Sequence, residues 1–190
     1  MCTIGNHKEV DLFLLLMLDK YTKGKPYLLH TFTGKYDQFG FKCFLLELIN
    51  SGKAVDRLHV ISGSPAAQRR PLPHPKDDYS KSGNPLPEGI YKVGEIIRLC
   101  NPEKGVGCIK IPLDVLPEFR VNNRSEFLLH EDFLRSYGGA LGSLGCIVTY
   151  TKTDMDRIVS WCSQKARPQV LIADYSKGLL ASKKVEAGVA

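Results

Sequence analysis

The order of apolar and polar positions along the chain reads mostly as strands. Phe41 to Asn50 is an apolar, β-prone run, Ser51-Gly52-Lys53 has the make-up of a turn, and Val55 to Ser62 alternates with period two. From Ser62 to Pro87 the pattern stops. Pro65, Pro71, Pro73, Pro75, Pro85 and Pro87 exclude regular structure there and predict a long loop. Strands resume over Ile90 to Leu99, Gly107 to Ile111, Glu126 to His130 and Ile147 to Tyr150. A helix follows. Thr153 is its expected cap, Asp154 and Asp156 suit the positive end of its dipole, and Met155, Ile158, Val159 and Cys162 repeat at helical spacing. Val170 to Ala173 makes a last apolar strand after Pro168. The expected class is mainly β, a β-rich α+β domain with one packed helix.

Composition narrows this only a little. The chain has 190 residues, 43% hydrophobic and 24% charged, which suits one ordinary globular domain. The reading is an N-terminal extension over residues 1–26, a domain over 27–176 and a flexible tail over 177–190. Val10 to Leu18 is expected to pack on the domain as a helix or strand. Its apolar core, Leu12 to Leu18, falls well short of the roughly 20 residues that span a bilayer. Glu9 and Asp11 stand where an export signal carries positive charge, so synthesis in the cytoplasm without a signal peptide is expected. The net charge of +6 and a pI near 9.0 favour anionic partners. The basic residues are scattered apart from Arg69-Arg70 and Lys183-Lys184, and no aromatic-plus-basic stripe occurs, so nucleic acid is not an expected partner.

The six cysteines (Cys2, Cys43, Cys100, Cys108, Cys146, Cys162) include no C-x-x-C pair, which argues against a zinc site. Acidic neighbours such as Asp77-Asp78 and Glu131-Asp132 read as exposed turns, and neither metal nor cofactor is expected. Cys43 and Cys162 read as core. Cys100 and Cys108 bracket the loop 101–107, either as a bridge or as two reduced thiols near the ends of paired strands. His30 and His59 lie in strand-like runs and read as structural, with His7 and His74 solvated.

Cys146 differs from the other thiols. It follows Gly145 in Ser143-Leu144-Gly145-Cys146-Ile147, with His130 at the end of an apolar strand upstream. A thiol is a strong nucleophile as its thiolate, and an imidazole can take the proton and hold the ion pair. Gly145 keeps the turn tight, and the amides around Gly145 and Cys146 are placed to hold a developing oxyanion. Cys108 shares a Gly-Cys-Ile context but has neither the serine nor an upstream histidine, and reads as a strand residue.

With these residues in view, the chain resembles the catalytic domain of the L,D-transpeptidases, the YkuD-type family that cross-links peptidoglycan. Four landmarks occur in family order between about Val55 and Ala173. They are Val60-Ile61-Ser62-Gly63 at a strand end, Asn84-Pro85-Leu86-Pro87-Glu88-Gly89-Ile90-Tyr91 turning into a strand, the apolar strand that delivers His130, and Ser143-x-Gly145-Cys146-Ile147 before a capped helix. Leu144 stands where the usual motif has a second histidine, and Val148 where an arginine or asparagine is common. A divergent branch that includes wall-targeting effectors and phage-borne proteins is closer.

The resemblance implies a β-sandwich with one packed helix after the cysteine. It implies acyl transfer from a stem-peptide carbonyl through a Cys146 thioester, to an amine or to water, with His130 as general base and Ser143 and Gly145 shaping the loop. No third catalytic side chain is identifiable; in the family a backbone carbonyl often orients the histidine. Arg135 and Tyr137 are expected to line the cleft. Arg69 and Arg70 are either solvated loop charges or, matching the family's substrate-capping loop, binders of substrate carboxylates. The alternative is a catalytically inactive wall-binding or phage virion structural module of the same fold. Papain-like and NlpC-type peptidases fit less well, because they place the cysteine before the histidine. The implied partners are peptidoglycan stem peptides, with a delivery apparatus, a virion or an immunity protein. The implied place of action is the periplasm or cell wall after delivery.

Overall fold

The computed structural model describes residues 16, 18–36, 42–64, 83–103, 105–117, 124–131, 143 and 145–175. Nine strands and one long helix occupy them, in the order β1 (Tyr27–Tyr36), β2 (Lys42–Asn50), β3 (Lys53–Ser62), β4 (Gly89–Val93), β5 (Ile97–Glu103), β6 (Gly107–Val115), β7 (Phe127–Glu131), β8 (Ile147–Thr149), α1 (Lys152–Cys162) and β9 (Val170–Ala173). The chain is mainly β with one packed helix, as its patterning predicts. Among the described residues no helix is long and apolar enough to cross a membrane.

All nine strands belong to one sheet, ordered β4-β9-β1-β2-β3-β8-β7-β6-β5, and β4 also pairs with β6. That extra pairing closes every strand but β5 into a ring. The two faces of the expected sandwich are therefore parts of one sheet folded back on itself, which leaves few bare edges. Most neighbours are antiparallel; β1–β9 and β7–β8 are parallel.

Local chemistry explains the elements. Ser51 and Gly52 both have positive φ (50° and 74°), the backbone of a two-residue hairpin whose twist matches the β2–β3 ribbon. Leu46, Leu48, Leu58 and Val60 alternate into the main core with Leu28, Phe44, Leu129 and Ile147. The single strand expected over Ile90 to Leu99 is broken. The Gly94 amide donates to Pro112 O at 2.8 Å, and a Cβ on Gly94 would come within 3.1 Å of the Pro112 ring. The bend lets β4 pair with the end of β6 (Tyr91↔Val115) and β5 with its start (Ile97↔Lys110).

Helix α1 begins two residues earlier than expected, with Thr151 as its cap in place of Thr153. Thr151 Oγ1 accepts from the Asp154 amide at 3.1 Å and its backbone is extended (φ −137°, ψ 158°). Asp156 lies beyond the first turn and pairs with Lys152 instead. Met155, Ile158, Val159 and Cys162 are buried as expected, and Trp161 joins them. Each large side chain on that face contributes about 1.5–3 kcal/mol of apolar burial. Asp56 on β3 ties the helix down, accepting from Trp161 Nε1 at 3.0 Å and pairing with Arg157.

Residues 18–22 are helical, and Leu18 is fully buried against Ile90, Val170 and Ile172. The rest of the Val10 to Leu18 run, apart from exposed Leu16, and the tail 177–190 lie outside the described residues. Two other expectations change, for Cys43 and His59, and the open choice at Cys100 and Cys108 is decided. Cys43 is only half-buried, because its neighbours Lys42 and Phe44 take the inward positions of β2. His59 is exposed on β3, between the inward-facing Leu58 and Val60. Cys100 and Cys108 are free, exposed thiols on β5 and β6.

Candidate active site

The candidate site forms where β7 and β8 run side by side. Their parallel register pairs Leu129 with Ile147 and His130 with Val148. Leu129 and Ile147 are fully buried in the main core. Alternation then sends Leu128 and His130 from β7, and Val148 from β8, to the opposite face. Continued one residue back from β8, the same alternation puts Cys146 on that face, level with Leu128 and diagonal to His130, two residues out of register. A backbone hydrogen bond between Leu128 and the Cys146 sulfur fits this placement.

His130 is 3% exposed, and its Nδ1 lies 2.8 Å from Glu131 O. A carbonyl can only accept, so Nδ1 donates to it, and in the neutral form of the ring Nε2 is the lone-pair nitrogen. The orienting group is thus a backbone carbonyl, and a third side chain is not needed to set the tautomer. Burial pushes the Cys146 thiol above its ordinary pKa. The Leu128 hydrogen bond and the positive charge of Arg124 act in the other direction. The balance leaves a thiol that is harder to ionise than an ordinary cysteine.

Ser143 pins the turn ahead of the cysteine. Its Oγ donates to Cys146 O at 2.7 Å and accepts from the Gly145 amide at 3.1 Å, while its own amide donates to Gly63 O at 3.1 Å. The Gly145 N–H is therefore occupied, which removes it from the expected oxyanion hole and leaves the Cys146 amide as that candidate. Gly145 sits at φ +127°, a conformation that side-chain-bearing residues rarely adopt.

The four landmark stretches meet here. Ile147 pairs with Ser62 at the end of β3. Ser62 Oγ accepts from the Leu86 amide at 2.8 Å, and the Ser64 amide donates to Gly83 O at 2.6 Å. The buried Asn84-Pro85-Leu86-Pro87 segment is clamped by two phenols. Tyr91 Oη donates to Pro87 O at 2.7 Å and Tyr175 Oη to Leu86 O at 2.6 Å. Arg69, Arg70, Arg135, Tyr137 and Leu144 lie outside the described residues.

No protein-family profile matches the chain, and no curated protein does. Among solved structures it is similar to the Ldtfm–avibactam carbamoyl enzyme, at 14% identity and a TM-score of 0.46, over 80% of this chain and 49% of that one. It is also similar to an Enterococcus faecium L,D-transpeptidase carrying a cysteine-to-serine substitution, at 13% identity and a TM-score of 0.45, over 79% of this chain and 50% of that one. The chain spans about half the length of these structures.

Sequence reasoning passed over Arg124. Its Nη1 donates to Pro85 O at 3.2 Å and its Nη2 to Asn84 O at 3.1 Å, and the guanidinium lies over the Phe127 ring at 4.9 Å. The Asn122-Asn123-Arg124-Ser125 stretch has no apolar period to mark it. The available signal was its place just ahead of the strand that delivers His130. Val148, by contrast, is wholly buried between Ile61 of β3 and His130 of β7.

Proposed function

We propose that the chain is a peptidoglycan-modifying cysteine acyltransferase of L,D-transpeptidase type, with Cys146 as nucleophile and His130 as general base. The observation that carries this reading is the shared β7–β8 face. Its register supports a thiol diagonal to an imidazole whose Nδ1 bonds to Glu131 O. In the acylation step Cys146 Sγ bonds to a stem-peptide carbonyl carbon as its proton passes to His130 Nε2. The tetrahedral intermediate collapses, the C–N bond breaks, and that proton leaves on the departing amine. A thioester remains. An acceptor amine then gives a proton to the same nitrogen, attacks the carbonyl and expels the sulfur, which is reprotonated. Water in that role yields a carboxylic acid instead. The substrate lies in the cell wall, so the proposal includes delivery there, by a secretion apparatus or within a phage particle.

The test is incubation of the protein and its Cys146→Ala variant with muropeptides, followed by mass spectrometry. The proposal expects a mass increment on Cys146 and cross-linked, exchanged or trimmed peptides from the wild type alone. Products from both proteins, or binding to sacculi with no adduct and no change in muropeptides, would overturn it. The second outcome would establish the inactive wall-binding module.

A further inference from the structure

We propose that Arg124 is a positioning residue for the Cys146 thiolate. Its guanidinium, held against Gly145 by the Asn84 and Pro85 carbonyls, is the fixed positive charge that the sulfur meets when its proton has gone to His130 Nε2. The inference rests on the reading of Cys146 as the nucleophile.

Three restraints fix the charge. Two hydrogen bonds run to adjacent carbonyls, and the Phe127 ring supports the plane from below. These two carbonyls are neutral acceptors that orient the guanidinium. They are themselves anchored, through Leu86 on Ser62 Oγ and through Gly83 on the Ser64 amide. Gly145 leaves the room that the guanidinium occupies, because a Cβ there would collide with Arg124 Nη2. Among the described residues, Arg124 interacts electrostatically with Cys146, Tyr91 and Tyr175. Both phenols donate to backbone carbonyls, and burial raises the Tyr91 pKa further.

Ionisation breaks the S–H bond, leaves the electron pair on sulfur and moves the proton to Nε2. A buried thiolate is costly, and Arg124 lowers that cost whether or not substrate is present. The charge comes from the segment before β7, a different part of the chain from the Ser143–Cys146 turn.

The test is the pH profile of Cys146 alkylation by iodoacetamide, read peptide by peptide so that the other cysteines do not interfere. Full-length wild type, Arg124→Gln and Arg124→Lys are compared, with circular dichroism melting as the folding control. The Gln variant is expected to shift the alkylation midpoint upward by about one pH unit, roughly tenfold less thiolate at any pH below it. The Lys variant keeps a charge but cannot fork between the two carbonyls, and a smaller upward shift is expected. If the Gln variant does not fold, the Lys shift decides. An unchanged midpoint in every variant that folds overturns the proposal. Alkylation needs no substrate, so this result stands apart from the thioester assay: absence of a muropeptide adduct counts against the proposed function and leaves the Arg124 comparison intact.

Discussion

The guanidinium of Arg124 fills the space that a side chain on Gly145 would occupy. One residue lies ahead of β7 and the other in the turn before β8, so this contact couples the two strands that carry His130 and Cys146. The turn cannot accept a larger residue without moving the charge, the Asn84 carbonyl 3.1 Å away, or the thiol.

Gly145→Ala is therefore expected to do double damage. The φ of +127° strains any residue with a Cβ, at about 1–3 kcal/mol. Displacing Arg124 and the sulfur by an ångström lowers turnover on muropeptides by about a hundredfold. Urea denaturation measures the first effect and product mass spectrometry the second. A variant with wild-type turnover would show that the contact is incidental.

His130→Gln retains a side chain that can still bond to Glu131 O but cannot accept a proton from sulfur. Loss of a general base lowers the acylation rate by about 10²–10⁴-fold. Single-turnover thioester formation is the measurement, and the thermal midpoint is expected to stay within a few degrees. A rate within threefold of wild type would remove His130 from the mechanism.

His30 sets an acid limit on stability. It is fully buried beside Phe44 and Tyr175, and its Nδ1 lies 3.1 Å from Leu45 O. Burial, opposed by that hydrogen bond, takes its pKa from 6.5 to about 4. Above pH 6.5 neither state is protonated and no penalty arises. Between pH 6.5 and about 4 the unfolded chain binds a proton that the folded one refuses, so stability falls as pH falls, by up to about 3 kcal/mol. Equilibrium denaturation across that window, with His30→Phe for comparison, checks this. A parallel loss in both chains would assign the effect to other groups.

Asp56→Ala should loosen α1 without touching the chemistry. It removes the acceptor of Trp161 Nε1 and the partner of Arg157 together, a loss of about 1–3 kcal/mol for the buried donor and its neighbour. The Trp161 fluorescence melt is expected to shift down while thioester formation at 20 °C or so stays within twofold. A fall in the thioester rate with an unchanged melt would place Asp56 in the site instead.

Much of this was legible along the chain because local rules decide it. An apolar, β-prone run marked β2, period-two alternation marked most of β3, the 155–158–159–162 spacing marked α1, and the glycine before Cys146 marked the turn. The cap went to Thr151 because the extended residue whose oxygen reaches the Asp154 amide comes before the helix, and sequence alone could not choose between two threonines. The bend at Gly94 depends on Pro112, far along the chain. Arg124 was hidden for the same reason. Its partners are two carbonyls and a glycine that only the folded sheet brings together, and carbonyls have no side-chain signature. The exposure of His59 beside buried Leu58 and Val60 follows from which way the strand faces, which the fold decides.

The ring of strands also dictates an order of events during synthesis. β9 lies between β1 and β4, joining the first strand of the sheet to one made much later. Until Val170 to Ala173 emerge from the ribosome, β1 and β4 both present bare edges, and neither can be sealed by anything made earlier. The closure of the ring is thus set by the last four residues of the sheet to be made.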